Sequence, residues 1–215
     1  SGDPENPVIG SDEQPIEYAV EMQRFPQDAL LSRVVQRGEL AGSHIDRLAN
    51  DVARFHENAA VASPAKAYKS PDAVEKPVLT TLDQLEQTEA LTQREPQLER
   101  LRSWAEGEYS AKRTTIVARK ADGFVRECHG DMHLGNMILL GDRVIPFAAI
   151  EFNEEFRWID VMSEIAFTVM DLEDRGRRDL ARRYLNAYLE QTGDYEGLAL
   201  LPFYLTYRAL VRAKV

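Results

Sequence analysis

His129, Asp131, His133 and Asn136 fall within the eight consecutive positions "HGDMHLGN". Two chemistries fit these residue types. In the first, an aspartate accepts the proton of an attacking hydroxyl, and an asparagine five positions later turns back toward metal-bound phosphate oxygens. One short, rigid loop can do both, and this is the spacing of a phosphoryl-transfer loop. In the second, His129, Asp131 and His133 alternate along an extended segment and offer a one-sided ligand set for Zn²⁺, Fe²⁺ or Mn²⁺, as in a metal-dependent hydrolase. Such a site needs further ligands, yet no histidine follows residue 133. The two remaining histidines, His44 and His56, flank the apolar stripe of a helix and read as capping or packing residues.

The elements that must position the loop follow from hydrophobic period. Ile16, Tyr18, Val20 and Met22 alternate as in a short strand. "FPQDALLSRVVQRGEL" reads as a helix with Pro26 at its first position and Gly38 as its stop, and Ile45, Leu48, Val52 and Phe55 mark a second helix at steps of three and four. Residues 60 to 92, punctuated by Pro64, Pro71 and Pro77, read as a loop with a short amphipathic segment. A long helix follows whose many charges suit a solvated face. From residue 137 the period changes: "MILL", a "GD" turn and "RVIPFAAIEF" predict a hairpin directly after the loop. Ile159, Met162, Ile165, Val169 and Leu172 then trace a buried helix, and a further helix ends at Gly193.

Composition sets outer bounds. The 215 residues are 44% apolar, enough for an ordinary core, and contain no run long enough to span a membrane. The 26 basic against 36 acidic side chains give a net charge of −10, which argues against a nucleic-acid binder and mildly favours cationic small molecules. The single cysteine, Cys128, excludes an internal disulfide and suits a cytoplasmic protein. With no thiolate-stabilising group beyond the adjacent His129, it reads as a packed side chain.

The loop, the hairpin, "IEFNEEFRWIDVMSEIAFTVMDLE" and the earlier "VEMQRFPQDALL" together resemble the aminoglycoside phosphotransferase-like, kinase-fold enzymes. The similarity is greatest to a bacterial branch often fused to a P-loop ATPase-like kinase domain. It implies an α+β, mostly helical fold corresponding to the C-terminal lobe of a kinase. Residues 1–24 would be a hinge and short strand from the N-terminal lobe, and 25–215 the helical lobe, with the catalytic loop at 129–136 and a metal-site hairpin at 137–152. The resemblance implies ATP and Mg²⁺ as cofactors and transfer of the γ-phosphoryl group to a hydroxyl of a small-molecule acceptor. Asp131 would be the catalytic base, with His133 ordering the loop beside it. Asn136 would be a metal ligand, Glu164 or Asp160 the acid that braces the loop, and Glu21 and Met22 the hinge that meets adenine.

The sequence departs from that pattern in two places. Where the hairpin of the family presents a metal-chelating aspartate, this chain has Ala148. The nearest acid, Glu151, is offset by three and would face the other way on a continuing strand. No glycine-rich phosphate loop precedes residue 16, and Lys66 and Lys69 come too late to pair with nucleotide phosphates, so the sequence reads as beginning at the hinge. The missing acid also supports a non-catalytic, pseudokinase-like regulatory or scaffold module.

Overall fold

In the computed structural model, residues 2–3, 5–8, 24–63, 71–88 and 95–214 are described. The expected strand at 16–22, with Glu21 and Met22, lies outside them. Two two-residue strands, β1 (Gly2–Asp3) and β2 (Asn6–Pro7), pair near the N-terminus.

The predicted first helix is split. A 3₁₀ turn, Gln27–Ala29, precedes α1 (Leu31–Gln36), because Leu30 is extended (ψ 129°) and forms a β-bridge with Ile138. Tertiary pairing with the hairpin thus overrides local helical preference at one residue. Gly38 ends the segment at φ +72°, a conformation that costs glycine little. In α2 (Gly42–Asn58), Ile45, Leu48, Ala49, Val52 and Ala53 form the buried stripe that the spacing predicts. His44 is a capping residue, its Nδ1 accepting from the Ala41 amide at 3.2 Å.

Residues 71–86 form α3 (Pro71–Glu86), a full helix where sequence reading expects a loop and short amphipathic segment. Proline is tolerated in a first turn, and the buried triplet Val78, Leu82 and Leu85, spaced by four and three, outweighs the internal Pro77. This helix packs on α4 (Glu95–Ala121) and on α8 (Leu201–Lys214). The charges of α4 are not all solvated. Arg119 is buried and donates to Asp160 at 2.8 and 2.9 Å and to Asp194 at 2.6 and 2.7 Å. Burial alone would disfavour its charge, but hydrogen bonds to the two carboxylates raise its pKa well above the usual value.

Strand β3 (Val125–Glu127) pairs antiparallel with β6 (Trp158–Asp160), and β4 (Met137–Leu140) with β5 (Arg143–Pro146) across a turn at Gly141 and Asp142. The hairpin is shorter than expected, since its strands end at Pro146 and residues 147–153 are irregular before α5 (Glu154–Arg157). Residues 129–136 follow β3 and lead into β4.

Helix α6 (Val161–Asp174) starts two residues later than the apolar period suggests, because Ile159 belongs to β6 and Asp160 caps the helix through the Met162 amide. Eleven of its residues, Val161 through Val169 with Asp171 and Leu172, are buried. Helix α7 (Arg178–Thr192) packs against both α2 and α6. Between α2 and α7, His56 Nδ1 lies 2.9 Å from the Tyr188 hydroxyl, and burial, with a contribution from the Arg126 charge, lowers its pKa to about 3.

The consequence is pH-dependent stability. Unfolding returns His56 to its ordinary pKa of about 6.5, so between about 6.5 and 3 the unfolded state binds more protons and stability falls as pH falls. Thermal melts from pH 7.5 to 4 should show this slope, and His56→Phe should flatten it. An equal slope in the variant would assign acid sensitivity to other groups.

Candidate active site

Three polar residues of α6 reach the loop from successive turns of one helical face. Glu164, with no exposed surface, accepts from the amides of His129 at 2.7 Å and Gly130 at 2.9 Å. The Thr168 hydroxyl donates to the Met132 carbonyl at 2.8 Å, and the Asp171 carboxylate accepts from the Leu134 amide at 2.8 Å. Their spacing of four and three puts all of them over one side of the helix. From α8, Arg208 Nη1 donates to the Gly130 carbonyl at 3.1 Å. Five backbone groups that a loop would leave to solvent are therefore fixed by buried partners.

Of the two acids offered for bracing, Glu164 does so and Asp160 does not. Asp160 caps α6 and pairs with Arg119, which commits both of its oxygens away from the loop. Thr168, Asp171 and Arg208 escape sequence reading. A signal exists for the first two: polar residues in phase with Glu164 on an otherwise apolar helix. Arg208 carries none beyond being basic.

Gly130 sits at φ +86°, and a Cβ there would lie 2.7 Å from the Phe156 carbonyl oxygen. Both conformation and space therefore demand glycine. The resulting bend presents Asp131, whose side chain is 34% exposed, enough to meet a small molecule while remaining partly desolvated. Asn136 Nδ2 donates to Asp131 Oδ2 at 2.7 Å and to the Asp131 carbonyl at 3.1 Å. Burial pushes the Asp131 carboxyl up, but His133, the Asn136 amide and the Arg208 charge outweigh it and hold its pKa below the ordinary carboxylate value. It is an ionised acceptor at neutral pH.

His133 orders the loop. Its Nδ1 accepts from the Gly135 amide at 3.0 Å, which leaves the proton on Nε2, 3.6 Å from Asp131 Oδ2, while its ring packs on Phe167. His129 is committed on both nitrogens. Nδ1 accepts from the Asp131 amide at 3.3 Å, and Nε2 lies 2.8 Å from the Phe147 carbonyl, which only a protonated nitrogen can satisfy. The alternating triad is not assembled as a metal site, because the His129 Nδ1 lone pair is engaged by the Asp131 amide and its Nε2 by the Phe147 carbonyl, and the three residues do not bring their ligand atoms together. The one group of potential ligands whose atoms lie within 4.8 Å of one another, among the described residues, is His56, Cys128 and Glu164. Its Glu164 oxygens serve the loop amides, and burial raises the Cys128 thiol well above its usual pKa. Cys128 is a packed side chain.

Residue 148 lies against the same loop. The Phe147 amide donates to the Asn136 carbonyl at 2.9 Å and the Ile150 amide to the His129 carbonyl at 3.0 Å, so hydrogen bonds on both sides pin it there. Ala148 is the only non-glycine residue with positive φ, +57°, among the described residues. The chain therefore bends at 148, and the continuing strand expected to carry Glu151 to the opposite face does not form. Glu151 is exposed. As for Mg²⁺, Asn136 retains its amide oxygen as a donor but Ala148 offers none, so the residues present do not make the carboxylate-bearing site that the cation requires.

A cavity of about 410 Å³ opens beside Asp131, between α3, α8 and the 150–156 segment. Its size suits a small ligand.

Comparison with known proteins identifies the family. The profile of the "Phosphotransferase enzyme family" matches residues 9–201. The chain belongs to this family, whose kinase-like fold accords with a mostly helical architecture carrying short strands. Uncharacterised proteins of Mycobacterium bovis and of Mycobacterium tuberculosis strains CDC 1551 and H37Rv are each 28% identical over 199 residues. The aligned part is 93% of this chain and 40% of each relative, so the chain spans less than half the length of the relatives it matches. No solved structure matches. No helix among the described residues is long and apolar enough to cross a membrane.

Two outcomes test the loop geometry. Glu164→Gln leaves one amide facing an NH₂ group, so the free energy of unfolding measured in denaturant should fall by about 1–3 kcal/mol; a loss under about 0.5 kcal/mol would remove Glu164 as the brace. Ala148→Val should lower the melting temperature, whereas Ala148→Asn should not, because asparagine accepts left-handed backbone and a β-branched residue resists it. Equal tolerance of both would contradict the bend.

Proposed function

We propose that this chain is the catalytic-loop lobe of an ATP-dependent small-molecule phosphotransferase, impaired at its metal site by Ala148. The observation that carries the reading is Asp131, an ionised carboxylate oriented by Asn136 within a clamped loop and lining a ligand-sized cavity. In this reading Asp131 accepts the hydroxyl proton of the acceptor as the acceptor oxygen bonds to the γ-phosphorus of ATP, the bond from that phosphorus to the β–γ bridging oxygen breaks, and ADP leaves. Fixing that carboxylate beside the cavity lowers the barrier by removing the reorientation a free base would need. Asn136 orients Asp131 and would supply a metal ligand only once an acid at 148 completes the site, and His133 keeps the loop closed over Leu134–Asn136. Residues 1–24 then belong to the hinge, where Glu21 and Met22 would meet adenine. A fused or partner P-loop kinase domain accompanies this lobe in the same reading, supported by the greater length of the mycobacterial relatives.

A second reading, a non-catalytic regulatory or scaffold module, is favoured by one observation, the methyl group at position 148 where a metal-binding acid belongs.

The test is Mg·ATP binding and ATP turnover by the full-length protein, with Ala148 and with Ala148→Asp. Metal clamping supplies several kcal/mol, so the aspartate form should turn over faster by roughly two or more orders of magnitude. If it gains neither affinity nor turnover, the phosphotransferase reading fails and the scaffold reading stands. Normal turnover with Ala148 would show that the acid is dispensable.

A further inference from the structure

The buried cation of the cavity is not used by the loop alone. Arg208 is 5% exposed and lines the cavity beside Asp131. Its Nε donates to the Ser163 carbonyl at 3.1 Å and its Nη1 to the Gly130 carbonyl at 3.1 Å, and its guanidinium lies over the rings of Phe167 and Tyr207. Nη2 is buried with no hydrogen-bond partner; the charge of Arg208 acts on the Asp131 and Glu164 carboxylates, but the guanidinium donates to carbonyls and to neither acid. The other buried arginine among the described residues, Arg119, is treated differently and has two aspartates. A guanidinium taken out of water with two carbonyls and an orphaned donor is incompletely compensated, and the missing partner is an oxygen, best an anionic one.

The rest of the cavity agrees. Lys76 and Lys214 stand on its lining as further cations. Of the acids there, Asp131 is the proposed base, Asp160 is already paired with Arg119, and Glu155 is exposed. With Asp160 already neutralised by Arg119, three cations face two acids on the lining, a local balance more positive than the acidic surface of the chain as a whole, which by itself would favour cationic ligands.

Resting on the phosphotransferase reading, we infer that the acceptor is an anionic alcohol, a small molecule carrying a carboxylate or phosphate a few bonds from its reactive hydroxyl, and that the Arg208 guanidinium binds that group. Arg208 is then a specificity-determining residue that sets the hydroxyl against Asp131 by holding the other end of the molecule.

The matched acceptors glycerol, glycerate, glycerol 3-phosphate and 3-amino-1,2-propanediol separate the possibilities, since they share hydroxyls and differ in charge. Full-length Ala148→Asp protein is assayed for acceptor-dependent ADP release. Binding of the same four compounds to the nucleotide-free Ala148 chain is followed by calorimetry. Glycerate or glycerol 3-phosphate should bind and be phosphorylated in preference to the other two, and which of them prevails identifies the anion. Arg208→Gln should raise KM for the anionic acceptors roughly ten- to a hundred-fold relative to glycerol, and Arg208→Lys should recover part of the preference. A merely structural role would depress all four acceptors alike and leave their ratio unchanged. Preference for the neutral or amino compound, an unchanged ratio in Arg208→Gln, or no binding of either anion to the nucleotide-free chain overturns the inference. Absence of Mg·ATP binding in the Ala148→Asp protein, by contrast, overturns the phosphotransferase reading while the binding arm still decides whether Arg208 recognises anions.

Discussion

A fully buried carboxylate, Glu164, organises this molecule. Removing a carboxylate from water is costly, and burial raises its pKa; the nearby charges of His129 and Arg208 and the amides of Gly130 and His129 oppose that rise. Because those amides belong to consecutive residues, satisfying the carboxylate fixes the backbone at the point where it must bend. The bend can be made only by glycine, since a side chain at 130 would strike the Phe156 carbonyl. Asp131 takes its direction from that bend. One electrostatic requirement in the core therefore sets the orientation of the Asp131 carboxylate beside the cavity.

For Glu164 to act this way, its helix must itself be held. Helix α6 is buried along most of its length, but apolar packing alone permits small rotations and slides. The polar anchor at its start removes that freedom. Asp160 caps the helix through Met162 and pairs with Arg119 of α4, which in turn holds Asp194 just before the turn that leads to α8. A buried ion triad is weak evidence of stability in itself, since the desolvation of three charges offsets much of their attraction. Its effect here is directional: it fixes the register of α6 relative to α4 and α8, and so the distance from Glu164 and Arg208 to the loop they share.

Much of this is legible in the sequence where one residue type answers one local demand. The spacing of His129, Asp131 and Asn136, the turn at Gly141 and the stripe of α2 all follow from such demands. The split at Leu30 does not, because it depends on Ile138, more than a hundred positions away. Helix α3 was hidden by Pro77, since a proline signals a break more loudly than three buried apolar residues signal a helix. The distinction between Asp160 and Glu164 was beyond sequence as well. Both are acids near the start of one helix, and only the position of Arg119, on an element read as solvated, claims one and releases the other. The metal triad at 129, 131 and 133 failed for a related reason: alternation predicts a shared face only if the backbone is extended, and Gly130 ensures that it is not.

Position 148 shows how far geometry and chemistry can separate. The backbone there is held by hydrogen bonds from Phe147 and Ile150 to the loop, and these impose a left-handed conformation on an alanine. Such a conformation costs an alanine about 1 kcal/mol. Aspartate and asparagine accept it more readily because their short polar side chains bond locally. The surroundings thus specify the conformation suited to an acid while the sequence supplies a methyl group. Nothing in the packing of the loop depends on the missing carboxylate, since Glu164, Thr168, Asp171 and Arg208 hold it from the opposite side. A fold braced in this way keeps its base oriented after a metal ligand is lost, which is why the arrangement of Asp131 and Asn136 supports a phosphotransferase reading even with alanine at 148.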